Sequence, residues 1–140
     1  MHPFPHVYRV GAASAADGDV RLTADGVADL PSNSPPEFDG PGGRWSPESL
    51  LCAAVADCFV LTFRAIARAS KFEWTALECR VEGTLERVAG VTRFTRFATE
   101  ATLRVPAGAD EARARLLLDK AEHGCLVANS LTAARELRAT

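Results

Sequence analysis

The chain has 140 residues, 47% of them hydrophobic and 24% charged, with a formal net charge of −2. That length is most economically one domain, 1–140, with residues enough for a core but few enough that an extended flat face calls for a partner. The arginines run from Arg9 to Arg138 and alternate with acids, so no basic stripe forms a phosphate footprint and no nucleic-acid partner is expected.

The opening MHPFPHVYRV has neither a basic n-region nor an apolar h-region, which points to a cytoplasmic protein. In that compartment the four cysteines, Cys52, Cys58, Cys79 and Cys125, are not expected to form a disulfide framework. No CxxC and no paired Cys/His spacing occurs, so no metal site is expected. No Gly-rich phosphate loop calls for a nucleotide or flavin either. A redox-active cysteine pair stays open.

In chain order, Val7–Val10 and Val20–Thr23 have the composition of short strands, with Asp17-Gly18 and Asp25-Gly26 supplying turn chemistry. Residues 31–43, PSNSPPEFDGPGG, are too rich in proline and glycine for regular helix or a central strand. They form a loop that extends over 31–45 into the next element. Ser46-Pro47-Glu48 is a helix start: Ser caps free N–H groups, Pro suits the first helical position and Glu complements the positive dipole end. The helix is expected from 47 to about Ala69. Its first half is apolar almost all round, with Leu51, Val55, Cys58 and Thr62 on one stripe and Leu50, Ala54 and Leu61 beside it, so other elements must enclose it. The run Leu50 to Phe63 is broken by Asp57 and falls short of the roughly 20 apolar residues of a bilayer span, so no membrane partner is expected.

From Trp74 the period becomes two, Leu77, Cys79, Val81, Gly83 and Leu85 alternating with Glu78, Arg80, Glu82, Thr84 and Glu86. That is a half-buried strand. Ala89-Gly90 allows a turn into a second strand, Val91–Val105, with Phe97, Ala101, Leu103 and Val105 inward. Phe94 is out of phase with that set, which predicts a bulge between. Asp110 then caps a helix running to about His123, with Gly124 a candidate C′ residue, and Leu131–Arg138 is a candidate last strand. The pattern predicts an α+β fold, with sheet packed around or against the central helix and a second copy sharing the cover.

For any one cysteine, packing as a small hydrophobe is the ordinary explanation, and it suffices for Cys52 and Cys79. Cys58, on a rigid helix, and Cys125, just past a helix end, could divide the labour of a two-cysteine thiol peroxidase, one thiolate attacking peroxide and a second thiol condensing with the sulfenic acid. Their spacing is equally consistent with two unrelated core residues. Asp57, about 100° round the helix from Cys58, is expected to face a polar groove or Arg64. His123 reads as a solvated helix-end residue.

SPESLLCAAVADCF and HGCLVANSL resemble the central-helix signature and the second cysteine segment of the OsmC/Ohr family, the osmotically inducible and organic hydroperoxide resistance proteins. The resemblance covers about residues 7–138. It implies the OsmC-like fold: an intertwined homodimer with antiparallel or mixed sheets wrapped around long central helices and two sites at the interface. It implies a peroxidase that reduces organic hydroperoxides with Cys58 as peroxidatic and Cys125 as resolving cysteine, restored by a dithiol reductant, in many members lipoyl-dependent. The glutamate of the family's Pro-Glu motif matches Glu48. Ten residues of helix, ~15 Å at 1.5 Å per residue, keep Glu48 from the Cys58 of its own chain, so it would serve the other subunit's thiol.

The sequence departs from the family at the arginine. Peroxidatic members carry one in the N-terminal region or the loop before the helix, but SAADG has none and the loop reads Glu37-Phe38-Asp39-Gly40. Arg44, Arg21 and Arg9 are the substitutes. The proline usual after the second cysteine is Leu126. A pocket of Leu51, Phe59, Phe38 and Trp45 is expected to favour bulky organic peroxides. The rival readings are a dimer of the same fold that binds a small apolar or thiol-reactive molecule without turnover, and a structural dimer in which all four cysteines are core.

Overall fold

A computed structural model describes residues 1–140. The chain divides into two compact units, Met1–Leu50 and Leu51–Thr140. The first is a three-stranded antiparallel sheet, β1 (Val10–Ala13), β2 (Val20–Ala24) and β3 (Leu30–Ser32), in the order β1-β2-β3. β1 lies later than the expected Val7–Val10. Val10 pairs with Ala24, and β2 ends there in the Asp25-Gly26 turn, where Gly26 has φ +79°, so residues before Val10 have no partner. β3 falls inside the stretch expected to be loop. It lies at a sheet edge, where a proline such as Pro31 is tolerated. A short 3-10 turn, Pro36–Phe38, follows.

Helix α1 spans Pro47–Ala69, the expected bounds. The Ser46 hydroxyl accepts from the Ser49 N–H at 3.1 Å, meeting one of the unpaired donors of the first turn. By length and composition alone α1 would cross a bilayer, although the run counted to Phe63 is too short. Its buried residues, Val55, Phe59, Phe63 and Ala67, recur every fourth position and so form one stripe.

The second unit pairs β4 (Ala76–Val88) antiparallel with β5 (Val91–Arg104), and β5 parallel with β6 (Ala134–Ala139). The predicted bulge is present: the register shifts between Thr84 and Leu85, which face Arg96 and Phe94. Residues three apart normally point to opposite faces of a strand. The extra residue returns Phe94 to the side of Phe97, and the rings stack with centroids 5.1 Å apart. Helix α2 (Glu111–Gly124) is capped by Asp110, whose carboxylate accepts from the Arg113 N–H at 3.1 Å. Gly124 is its last residue rather than the one beyond it, and Cys125 is the cap between α2 and a one-turn helix, α3 (Leu126–Asn129). Leu131 still closes that turn, its N–H donating to the Ala128 carbonyl at 3.1 Å, so β6 begins at Ala134 rather than at the expected Leu131.

Two apolar clusters organise this unit. Phe59, Phe63 and Ala67 of α1 meet Leu117, Leu118 and Ala121 of α2 over Ala101 of β5. Val55, Phe97, Cys125, Ala128 and Ala133 form the other, with Leu51, Cys52, Cys58 and Val127 packed against it.

Candidate active site: a thiol pair at the α1–α2 junction

The second cluster brings Cys58 and Cys125 together. Cys58 is half-buried, on the turn of α1 after Val55, with its sulfur 3.8 Å from the Thr62 hydroxyl. Cys125 is fully buried, its thiol directed at the Val55 carbonyl at 3.9 Å. All four cysteines are free thiols.

The two thiols differ in acidity. Burial alone would raise Cys58, but the Val127 amide, the Cys125 thiol, the Thr62 hydroxyl and the Leu126 amide each favour its ionised form, and the net result is a lowered pKa. Cys125 is raised: burial dominates, an Ala128 backbone contact opposes it, and the Cys58 and Glu122 charges add to the rise. Cys79 is pushed up to about 11 by burial and the charges of Glu122 and Cys125. Cys52 is also raised by burial, partly offset by a backbone contact from Gly83. Of the four, Cys58 alone is made more acidic, and the donors responsible are two amides, a thiol and a hydroxyl rather than a guanidinium.

Glu48 is in the first turn of α1, half-buried, with Oε2 inaccessible and without a hydrogen-bond partner in the chain. Arg44 pairs with Asp19 at 3.1 Å and Arg21 with Asp29 at 3.7 Å. Arg9 is exposed and makes no ion pair. Asp57 and Arg64 are both exposed and do not pair. His123 is an exposed helix-end residue, its ring nitrogen 2.8 Å from the Asp119 carbonyl.

The expected pocket needs one correction. Phe59 is 0% exposed within the first core cluster and cannot line a cavity. Leu51 packs against the same cluster as Cys58, while Phe38 and Trp45 are exposed side chains of the first unit. Sequence reasoning also passed over Arg135. Its Nε donates to Glu122 Oε1 at 2.8 Å and its Nη1 to Asn129 Oδ1 at 2.7 Å.

A mixed sheet carrying two helices, with two free thiols of opposed acidity at the helix junction, defines a dithiol protein of the α+β class. The chain belongs to the OsmC-like protein family, whose model matches residues 40–139. It is 30% identical over 107 residues, 74% of this chain and 71% of the relative, to the uncharacterized protein YmaD of Bacillus subtilis. An OsmC-like protein of unknown function from Vibrio cholerae has the same fold, with a TM-score of 0.89 at 14% identity, covering 97% of this chain and 100% of that one. An organic hydroperoxide resistance protein OsmC from Legionella pneumophila is similar at 25% identity and a TM-score of 0.77, covering 98% and 97%.

Proposed function

We propose that the protein is a cytoplasmic, homodimeric thiol peroxidase for organic hydroperoxides. The observation that carries this reading is the juxtaposition, in one apolar cluster, of an acidified Cys58 and a buried, less acidic Cys125. The Cys58 thiolate attacks the distal peroxide oxygen and, with one proton, releases an alcohol and leaves a sulfenic acid. Cys125 displaces water from that sulfenic acid to form a disulfide. An external dithiol, lipoyl-dependent or similar, takes up the oxidising equivalents by exchange.

Two features of α1, its open apolar face and Glu48, support the dimer. Only 22% of the apolar stretch of α1 is buried inside one chain, and Leu61 is 51% exposed. A second copy supplies the missing cover. Glu48, ten residues up the helix from Cys58, is then placed to serve the second copy's thiol, and its unpartnered Oε2 can accept from a cation brought by that copy. The Legionella relative is named for resistance to organic hydroperoxides, which favours that substrate class.

One observation favours the second reading, a dimer that binds a small thiol-reactive molecule without turnover: Arg44 and Arg21 are already paired with aspartates. Titration of free thiols after exposure to cumene hydroperoxide separates the two. Loss of two thiols per chain, abolished in Cys58→Ser, is the expected result. Thiols that stay reduced, or react no faster than free cysteine, would sink the peroxidase.

A further inference from the structure

Cys125 is held in place by a ring of hydrogen bonds that the two thiols themselves do not make. Its N–H donates to the Glu122 carbonyl at 3.4 Å, ending α2, and its carbonyl accepts from the Asn129 N–H at 2.9 Å, opening α3. Arg135, on the neighbouring β6, spans both helices with three nitrogens: Nε to the Glu122 carboxylate, Nη2 to the Glu122 carbonyl and Nη1 to the Asn129 side chain. Asn129 closes the ring, its Nδ2 donating to the His123 carbonyl at 3.0 Å.

The Arg135 and Glu122 side chains are partly withdrawn from water, being 26% and 14% exposed. A planar guanidinium with several fixed donors suits such a clamp, whereas an ammonium could meet only part of it. On the opposite side the junction lies against α1. A Cβ at Gly124 would come 3.3 Å from the Thr62 methyl, one turn beyond Cys58. Cys125 thus sits between a guanidinium clamp and the helix carrying the other thiol.

We propose that Arg135 is a positioning residue for the second thiol: through Glu122 and Asn129 it fixes the α2–α3 junction so that Cys125 meets Cys58. This rests on the two-thiol reading above. Condensation of a sulfenic acid with a thiol is fast when the sulfurs are held in reach and slows steeply with small misplacement. The clamp therefore acts first on disulfide formation; the Val127 and Leu126 amides that favour the Cys58 thiolate belong to the same junction, so the attack on peroxide feels it to a lesser degree. The guanidinium also offsets the Glu122 charge. The titratable groups around Cys125 are Cys58 on α1, Glu122 on α2 and Cys79 on β4, with Cys52 in the same cluster.

The test follows the two steps separately in the full chain. Cys58 oxidation by cumene hydroperoxide is read by loss of thiol, and the lifetime of its sulfenic acid by trapping with dimedone. In Arg135→Ala the sulfenic acid is expected to persist about 10- to 100-fold longer, with its formation slowed by a clearly smaller factor, and Arg135→Lys should recover part of the loss. Equal slowing of both steps, or a wild-type lifetime, overturns the proposal. If Arg135→Ala does not fold by circular dichroism, Asn129→Ala, at an exposed position, carries the same test with a smaller expected effect. A parallel series with diamide, which accepts two electrons and two protons from a thiol pair as it becomes a hydrazine, needs no peroxidase activity. If hydroperoxide leaves Cys58 untouched, the peroxidase reading falls alone. Slower diamide closure of Cys58–Cys125 in Arg135→Ala then sustains the clamp, and an unchanged rate removes it.

Discussion

The Cys58 and Cys125 thiols lie in one apolar cluster and are driven in opposite directions, Cys58 toward ionisation and Cys125 away from it. That asymmetry assigns an order of reactivity. The thiolate is the nucleophile, so a lowered pKa puts more of Cys58 in reactive form near neutrality. At pH 7.5 a maleimide or bimane reagent should label Cys58 before Cys52, Cys79 and Cys125, with a rate–pH midpoint below the ordinary thiol value. Peptide mapping after limited labelling checks this, and preferential modification of Cys125 would reverse the roles. Thr62→Val removes one stabilising donor and should raise the Cys58 midpoint.

Gly83 of β4 is closely packed against the second apolar cluster. A Cβ at Gly83 would stand 2.6 Å from the Cys52 sulfur, 2.9 Å from a Phe94 ring carbon and 3.1 Å from one of Phe97. Two of these neighbours are rings stacked on one another, so moving one disturbs the other. Gly83→Ala should destabilise the chain by about 1–3 kcal/mol through overpacking, read as a lower urea midpoint. Adding Cys52→Ala should return only part of that loss, because the ring contacts stay.

The β4–β5 hairpin turns through Ala89 at φ +51° and Gly90 at φ +78°. Both positive angles match the two-residue turn that suits strand twist, in which Asn-Gly is preferred. An alanine there carries a left-handed penalty of roughly 1–2 kcal/mol, which asparagine largely avoids. Ala89→Asn should therefore stabilise by about 0.5–1 kcal/mol by the same comparison, as a higher denaturation midpoint with unchanged slope.

Features governed by neighbouring residues were legible in the sequence. Ser46-Pro47-Glu48 marks the start of α1, Asp110 that of α2, and the phase break at Phe94 marks the bulge, because caps and alternation act within a few positions. The parallel pairing of β6 with β5 was not legible, since it depends on contacts some 40 residues apart, such as Arg96 with Ala134. Arg135 was hidden for the same reason: nothing in AARELRAT ties it to Glu122. Phe59 was misplaced because it adjoins Cys58 in sequence, yet one residue of helix turns a side chain by about 100°, onto the buried stripe. Of the proposed site, the two cysteines and Glu48 stand out in the sequence. The groups that tune and hold them, the Val127 and Leu126 amides and Arg135, are set by the fold.

The remaining prediction concerns alkaline stability. Cys79 is pushed up to about 11, first by burial and then by the charges of Glu122 and Cys125, whereas in the unfolded chain it ionises near its ordinary value of 9.0. Below 9 both states hold the proton and the group contributes no pH dependence. Between 9 and about 11 the unfolded thiol has lost its proton while the folded one retains it, so the unfolded state binds fewer protons and stability falls as pH rises. Cys52 and Cys125, also raised, act in the same sense, and Cys58, lowered, in the opposite one. Unfolding free energy measured by urea titration across this window should decline more gently in Cys79→Ala than in the parent chain. Parallel curves for the two proteins would show that the folded Cys79 ionises no later than the unfolded one.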